Sequence, residues 1–201
     1  MNNIKNLPEN LNKLNTLIIY SGVNIDILPK TYINLKRLSL SCLDKALSIP
    51  TEYVNLEELS LLCYDNFTEL PILNNVKKLT LTNMINVKII PECYNSVVDL
   101  DLENVNVEVI QSLINLKKLN IVNCNNLITI SDNMPNLIEL ECFKNNSLIN
   151  LPSITSLTSL NVIECPNIIK IPESYDKLEK LTLIDLDKLE EIPEKYNNLL
   201  K

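Results

Sequence analysis

One short pattern, Leu-x-x-Leu-x-Leu, returns at near-constant spacing from one end of this chain to the other. It stands at Leu14-Leu17-Ile19, Leu35-Leu38-Leu40, Leu56-Leu59-Leu61, Val76-Leu79-Leu81, Val97-Leu100-Leu102, Leu116-Leu119-Ile121, Leu137-Leu140-Cys142, Leu157-Leu160-Val162 and Leu178-Leu181-Leu183. The central leucines are 21, 21, 20, 21, 19, 21, 20 and 21 residues apart. Nine in-phase copies leave little freedom, because each structural unit must fit inside about 21 residues and then repeat.

With the first leucine as position one, apolar residues fall at one, four, six, twelve and fifteen. Positions twelve and fifteen are Ile25/Leu28, Ala46/Ile49, Phe67/Leu70, Val87/Ile90, Leu127/Ile130, Leu148/Leu151, Ile168/Ile171 and Leu189/Ile192. Proline usually follows position fifteen (Pro29, Pro50, Pro71, Pro91, Pro152, Pro172, Pro193), and Gln111 and Ser131 replace it in two middle blocks. Three residues later there is often a tyrosine: Tyr32, Tyr53, Tyr94, Tyr175 and Tyr196. Asparagine often precedes the next block, as at Asn34, Asn55, Asn75, Asn115, Asn136 and Asn198.

Leucine at four and six between polar neighbours is a period of two, so this piece is a short strand with one buried face. A strand that returns on the same side once per block is parallel to its predecessor. The Ile-Pro-Glu-x-Tyr piece begins with proline, which suits a first helical turn. It is too short for a stable α-helix, so one helical or 3₁₀ turn or extended chain is expected. A single block cannot bury its own apolar residues; stacked blocks bury all five columns as one core.

This arrangement resembles the leucine-rich repeat family over essentially the whole chain. The pattern Leu-x-x-Leu-x-Leu-x-x-Cys-x-x-Leu-x-x-Ile-Pro is fullest at Leu116–Ile130, without the proline, and at Leu157–Pro172. The blocks are similar to those of plant resistance receptors, and the short Leu-Pro-Glu and Ile-Pro-Glu pieces to those of bacterial secreted effectors. The resemblance implies an α/β, mostly parallel-β right-handed solenoid: about nine strands on a concave face, with short 3₁₀ or helical turns or extended chain on the convex side. Residues 1–201 are expected to form a single domain of about nine to ten repeats without recognisable caps. The ends could then pair with another copy, which makes an end-to-end homodimer a hypothesis.

Composition narrows the chemistry. The start, Met1-Asn2-Asn3-Ile4-Lys5, carries no secretion signal and no apolar stretch approaches the length of a membrane span, so a cytoplasmic protein is expected. Net charge is −7 with mixed signs, which disfavours nucleic acid and anionic membranes. The Asn, Ile, Lys and Tyr bias is that of an AT-rich genome and resembles repeat proteins of large DNA viruses such as poxviruses, or of amoebae. A viral source would place the chain in the host cytoplasm and make its partner a host protein.

Histidine is absent, so no Ser-His-Asp or Cys-His pair and no His-containing metal site exists, and the single Gly22 cannot make a phosphate loop. No catalytic residue, metal or cofactor is expected. Cys142 fills a strand position, and Cys124 and Cys165 fill a small-residue position in the following turn, all read as buried structural thiols. Cys42 and Cys63 share a column in adjacent coils, where a disulfide is geometrically conceivable, but free thiols are expected in a reducing compartment. Cys42-Leu43-Asp44 and Cys63-Tyr64-Asp65 resemble the Cys-x-Asp motif of the ligase domain attached to some bacterial repeat effectors; the repeat register accounts for both.

Partners in this family bind the concave sheet, to which positions three, five and seven point. Column three reads Thr16, Arg37, Glu58, Lys78, Asp99, Lys118, Glu139, Ser159 and Lys180, alternating in sign over six strands. It is expected to be an intramolecular charge ladder. Column seven reads Tyr20, Ser41, Leu62, Thr82, Glu103, Val122, Phe143, Ile163 and Ile184. Its last four residues form an apolar stripe, with Asp101, Glu103 and Glu141 as an acidic rim favouring a basic partner. Two readings stay open: the stripe binds, with Phe143 as anchor, or position seven turns inward and packs under the next loop. The leading function is a non-catalytic protein-interaction module binding a protein partner on the concave face. The alternatives are a substrate-recognition arm of a ubiquitin ligase or other effector enzyme whose catalytic part is elsewhere, and a structural self-assembly unit.

Overall fold

A computed structural model describes residues 5–20, 25, 27–42, 48–62 and 67–199. Nine strands form one all-parallel sheet in chain order: β1 Thr16–Ile19, β2 Arg37–Ser41, β3 Glu58–Leu62, β4 Lys78–Thr82, β5 Asp99–Glu103, β7 Lys118–Val122, β9 Glu139–Phe143, β10 Ser159–Ile163 and β11 Lys180–Ile184. Two short strands, β6 Val109–Ile110 and β8 Thr129–Ile130, pair with each other outside that sheet. The fold is a leucine-rich repeat solenoid, as the periodicity requires.

Register follows the columns. Leu17 pairs Leu38, Leu38 pairs Leu59, and so on to Leu160 with Leu181. A slip of one residue would turn every position-four and position-six leucine outward, so the buried columns hold the register. From β2 to β10 both positions are buried in every strand, alternating with less buried neighbours. Each fully buried Leu, Ile or Val contributes roughly 1.5–3 kcal/mol. The buried residues from Ile19 to Tyr196 join in one continuous cluster.

Among the described residues, the side of the coils away from the sheet is extended chain and single turns, as expected from the block length. Glu92–Ser96 and Glu194–Leu199 form 3₁₀ turns. Elsewhere β6 and β8 pair, and isolated bridges link Asn6 to Ile27 and Lys170 to Glu191.

The recurrent tyrosine has a specific task there. Tyr53 Oη donates to the Pro29 carbonyl at 3.0 Å, Tyr94 to Pro71 at 2.8 Å, Tyr175 to Pro152 at 2.8 Å and Tyr196 to Pro172 at 2.7 Å. Each hydroxyl thus reaches back to the coil before it. The Pro29 carbonyl, which takes the Tyr53 hydroxyl, also closes its own turn by accepting from Tyr32 N–H at 3.4 Å. A carbonyl has two lone pairs, so one proline serves both bonds.

Coil length and side-chain size change together at this point. Where successive central leucines are 21 apart, the buried residue lies three after position sixteen and is Tyr32, Tyr53, Tyr94, Met134 or Tyr175. Where they are 20 or 19 apart it lies two after and is Leu73, Leu113 or Ile154. A shorter path around the core takes a shorter side chain, and the sheet is undisturbed.

Before each strand runs a second ladder. The Nδ2 of Asn55, Asn75, Asn115 and Asn136 donates to the carbonyl of Ile33, Val54, Asn95 and Ile114 in the preceding coil, at 2.6–2.9 Å. The asparagine column seen in the sequence therefore satisfies backbone acceptors at the sheet margin.

Candidate functional site

In seven of the nine coils the described residue after the strand decides which way column seven faces. Position eight holds Cys42, Asn83, Asn104, Asn123, Lys144, Glu164 and Asp185, all with φ between 47° and 55°. This left-handed conformation ends the strand after position seven and turns the chain away from the sheet. The N–H of position eight still donates to the carbonyl of position seven in the next coil, as in Asn123 to Phe143 at 2.8 Å. Position seven is therefore held as the last residue of the ladder, on the open face shared with positions three and five. Val122, Phe143 and Ile163 line one groove of about 270 Å³ together with the column-five residues Asn120, Glu141 and Asn161.

Val122, Phe143 and Ile163 are each half-buried, and Ile184, in register with Ile163, is 46% exposed. The stripe is real as a surface feature, but its members support one another rather than standing free. The Lys144 ammonium lies 4.9 Å from the Phe143 ring centroid and 3.5 Å from the Glu164 carboxylate. One face of the ring is thus covered by a cation that is itself paired with Glu164.

The acidic rim divides. Asp101 meets Lys78 Nζ at 3.5 Å, and Thr80 Oγ1 and Asn120 Nδ2 also point at it. Glu103 and Glu141 form no ion pair among the described residues. Both are exposed. Beside Glu141, in register on β10, Asn161 has a buried Oδ1 that receives no hydrogen bond.

Column three forms pairs rather than an unbroken chain of contacts. Arg37–Glu58 closes at 2.9 Å, Lys78–Asp99 at 3.0 Å and Lys118–Glu139 at 2.7 Å. Each cation has turned to one neighbour. The Lys118 ammonium is held above its ordinary range by the hydrogen bond to Glu139. These exposed pairs are screened by solvent, add little to stability and consume column three as a recognition surface.

The buried cysteines of strand and turn are structural. Cys124, Cys142 and Cys165 are buried, and burial pushes the Cys124 thiol up to about 11 and that of Cys142 well above its ordinary value. Neither is a thiolate at neutral pH. Cys63, Asp44 and Asp65 lie outside the described residues, and with them the Cys42–Cys63 pairing and both Cys-x-Asp motifs.

Three features escaped the sequence reading. Asn145, the fully buried polar residue of the core, takes the position held by cysteine in the coils on either side. Its Oδ1 accepts from Cys124 N–H at 2.9 Å and its Nδ2 donates to the Ile121 carbonyl at 2.9 Å. Only its place in the column, an amide where neighbours carry a small thiol, could have signalled it. A larger concavity, about 600 Å³, lies away from the sheet among Ile128, Ser131, Asn150, Lys170 and Glu191. The exposed isoleucines Ile128, Ile149 and Ile169 form a row nearby. No group of three metal-capable side chains occurs among the described residues, and no helix among them is long and apolar enough to cross a membrane.

Comparison with known proteins agrees with this architecture. No protein-family model matches the chain, and no curated protein does. Among solved structures, the leucine-rich repeat domain of the type III effector XopL superposes with a TM-score of 0.74 at 19% identity, covering 92% of this chain and 73% of that one. At that identity the likeness is one of fold: this chain is built as a leucine-rich repeat solenoid.

Proposed function

We propose that the chain is a non-catalytic protein-binding module whose partner docks on the open sheet face of β5, β7, β9, β10 and β11. The observation that carries this is the run Val122, Phe143, Ile163 on consecutive strands, followed by Ile184 and bordered by Glu103 and Glu141. Strands on a solvated face have no folding requirement for apolar side chains at position seven, and β2 and β4 carry Ser41 and Thr82 there. Four apolar residues of column seven on adjacent strands span about 14 Å, enough for a partner's central anchor contacts. The fold supports the reading as a scaffold with an extended open face, though fold alone names no partner. The partner expected is a protein met inside a cell, of the host if the source is a parasite.

Affinity capture with wild type and with the double variant Phe143→Asp/Ile163→Asp tests this. Removing the aromatic anchor and placing a charge in the groove should lower recovery of a specific partner at least about tenfold, a loss of at least about 1.4 kcal/mol. Recovery of the same proteins by both forms, with unchanged thermal unfolding, would place the site elsewhere.

A further inference from the structure

The groove on β7, β9 and β10 is more selective than an apolar stripe. Its floor is Val122, Phe143 and Ile163, and its polar wall is Asn120, Glu141 and Asn161. The wall contains one exposed acceptor without an ion pair among the described residues and one covered acceptor without a donor. Glu141 is exposed and forms no ion pair among the described residues, whereas the nearby Asp101 is held by Lys78. Asn161 Oδ1 is buried in the groove with no donor to it. The two residues are register partners on adjacent strands, so their side chains leave the sheet about 4.8 Å apart. An acidic acceptor and a neutral one, side by side beside apolar walls, ask for a ligand with several donors in one plane and a weakly hydrated charge.

We propose that this groove anchors a single arginine side chain of the protein partner. Its methylenes lie on Phe143 and Ile163, and its guanidinium donates to the Glu141 carboxylate with one edge and, with the Asn161 amide turned out toward the guest, to Asn161 Oδ1 with the other. Arginine fits better than lysine for two reasons. The planar fork presents fixed donors to two acceptors at once, and its diffuse charge loses less hydration against an apolar wall. Glu103, one strand beyond Val122 in the same column, adds negative potential without competing for the contact. The Lys144 ammonium does not oppose the guest charge, because Glu164 neutralises it. The proposal rests on the sheet-face reading and gives it a ligand chemistry.

The test uses the whole chain, labelled with ¹⁵N and with ¹³C at Ile and Val methyls. It is titrated with the acetylated and amidated tripeptide Ala-Arg-Ala and with its lysine and citrulline counterparts. The arginine peptide should shift the Asn161 side-chain amide and the Val122 and Ile163 methyls. Citrulline, which keeps the shape and loses the charge, should bind at least about tenfold more weakly, as should the arginine peptide to Glu141→Gln, each losing a charge-assisted bond. Asn161→Leu should weaken arginine more than lysine, since only the fork uses both acceptors. Equal shifts with citrulline, or shifts centred away from Asn161 and Phe143, would overturn the proposal. A partner whose capture depends on Phe143 but is unchanged in Glu141→Gln and Asn161→Leu sinks the arginine anchor and leaves the sheet-face reading intact. A partner indifferent to Phe143 as well sinks both.

Discussion

At the scale of single residues, the tyrosine hydroxyls and one asparagine amide carry the polar bonds of the interior. Tyr94 is completely buried, and its hydroxyl satisfies the Pro71 carbonyl. Tyr94→Phe keeps the ring and leaves that carbonyl without the hydroxyl donor, so it should cost about 1–3 kcal/mol. Tyr94→Ala should cost about 3–5 kcal/mol, because a ring-sized cavity is added. Urea unfolding of the two variants separates the hydroxyl from the ring. Asn145 poses a sharper case. Asn145→Leu orphans both the Cys124 N–H and the Ile121 carbonyl and should be the worse change. Asn145→Cys restores the side chain of the flanking coils and should be the milder one. If leucine proves the better tolerated, the amide is not bridging the coils.

At the scale of the strand and its turn, the left-handed residue at position eight sets where the open face ends. Asn104 has φ 53° and its Nδ2 donates to Asn83 Oδ1 at 2.7 Å. Asn104→Val forces a β-branched residue into that region and removes the bond, so a loss of about 2 kcal/mol is expected, whereas Asn104→Gly should lose less than half of that. Equal losses would mean the conformation is not what matters. The same position explains what could and could not be read from the sequence. Positions four and six were legible because burial enforces a period of two, and the columns fell out of it. The direction of column seven was not, because it depends on a backbone angle. Asn83, Asn104 and Asn123 hint at that angle, since asparagine enters the left-handed region readily. Asp185 carries the same hint more weakly, whereas Cys42, Lys144 and Glu164 adopt the angle without any such sign. The pairwise closure of column three was likewise invisible. A sequence fixes which charges are adjacent, while rotamers choose which neighbour each one meets.

Across the whole molecule, buried weak acids make stability depend on pH in one direction. Burial raises the thiols of Cys124, Cys142 and Cys165 and the phenols of Tyr53, Tyr94 and Tyr175 above their ordinary values. Below about pH 8 all six are protonated in both states and contribute no slope. As pH rises past the unfolded thiol and phenol values, the unfolded chain releases protons that the folded chain keeps. The unfolded state then binds fewer protons, the slope of unfolding free energy with pH is negative, and stability falls. Denaturant melts at pH 7, 9 and 10.5 should show a midpoint that declines only at the alkaline end. A midpoint constant through pH 10.5 would mean these groups ionise in the folded state as freely as in the unfolded one.

The matched change of coil length and side-chain size has a consequence for how such a chain can vary. A residue lost between Pro50 and Tyr53 would strand a tyrosine too large for the shortened loop. The same loss accompanied by Tyr53→Leu reproduces what the coil containing Leu73 already does. Insertions and deletions at this place are thus compensated locally, within three residues of where they occur. Individual repeats can drift in length while every outward-facing side chain keeps its strand, its column and its neighbours, so the surface offered to a partner is inherited independently of the scaffold beneath it.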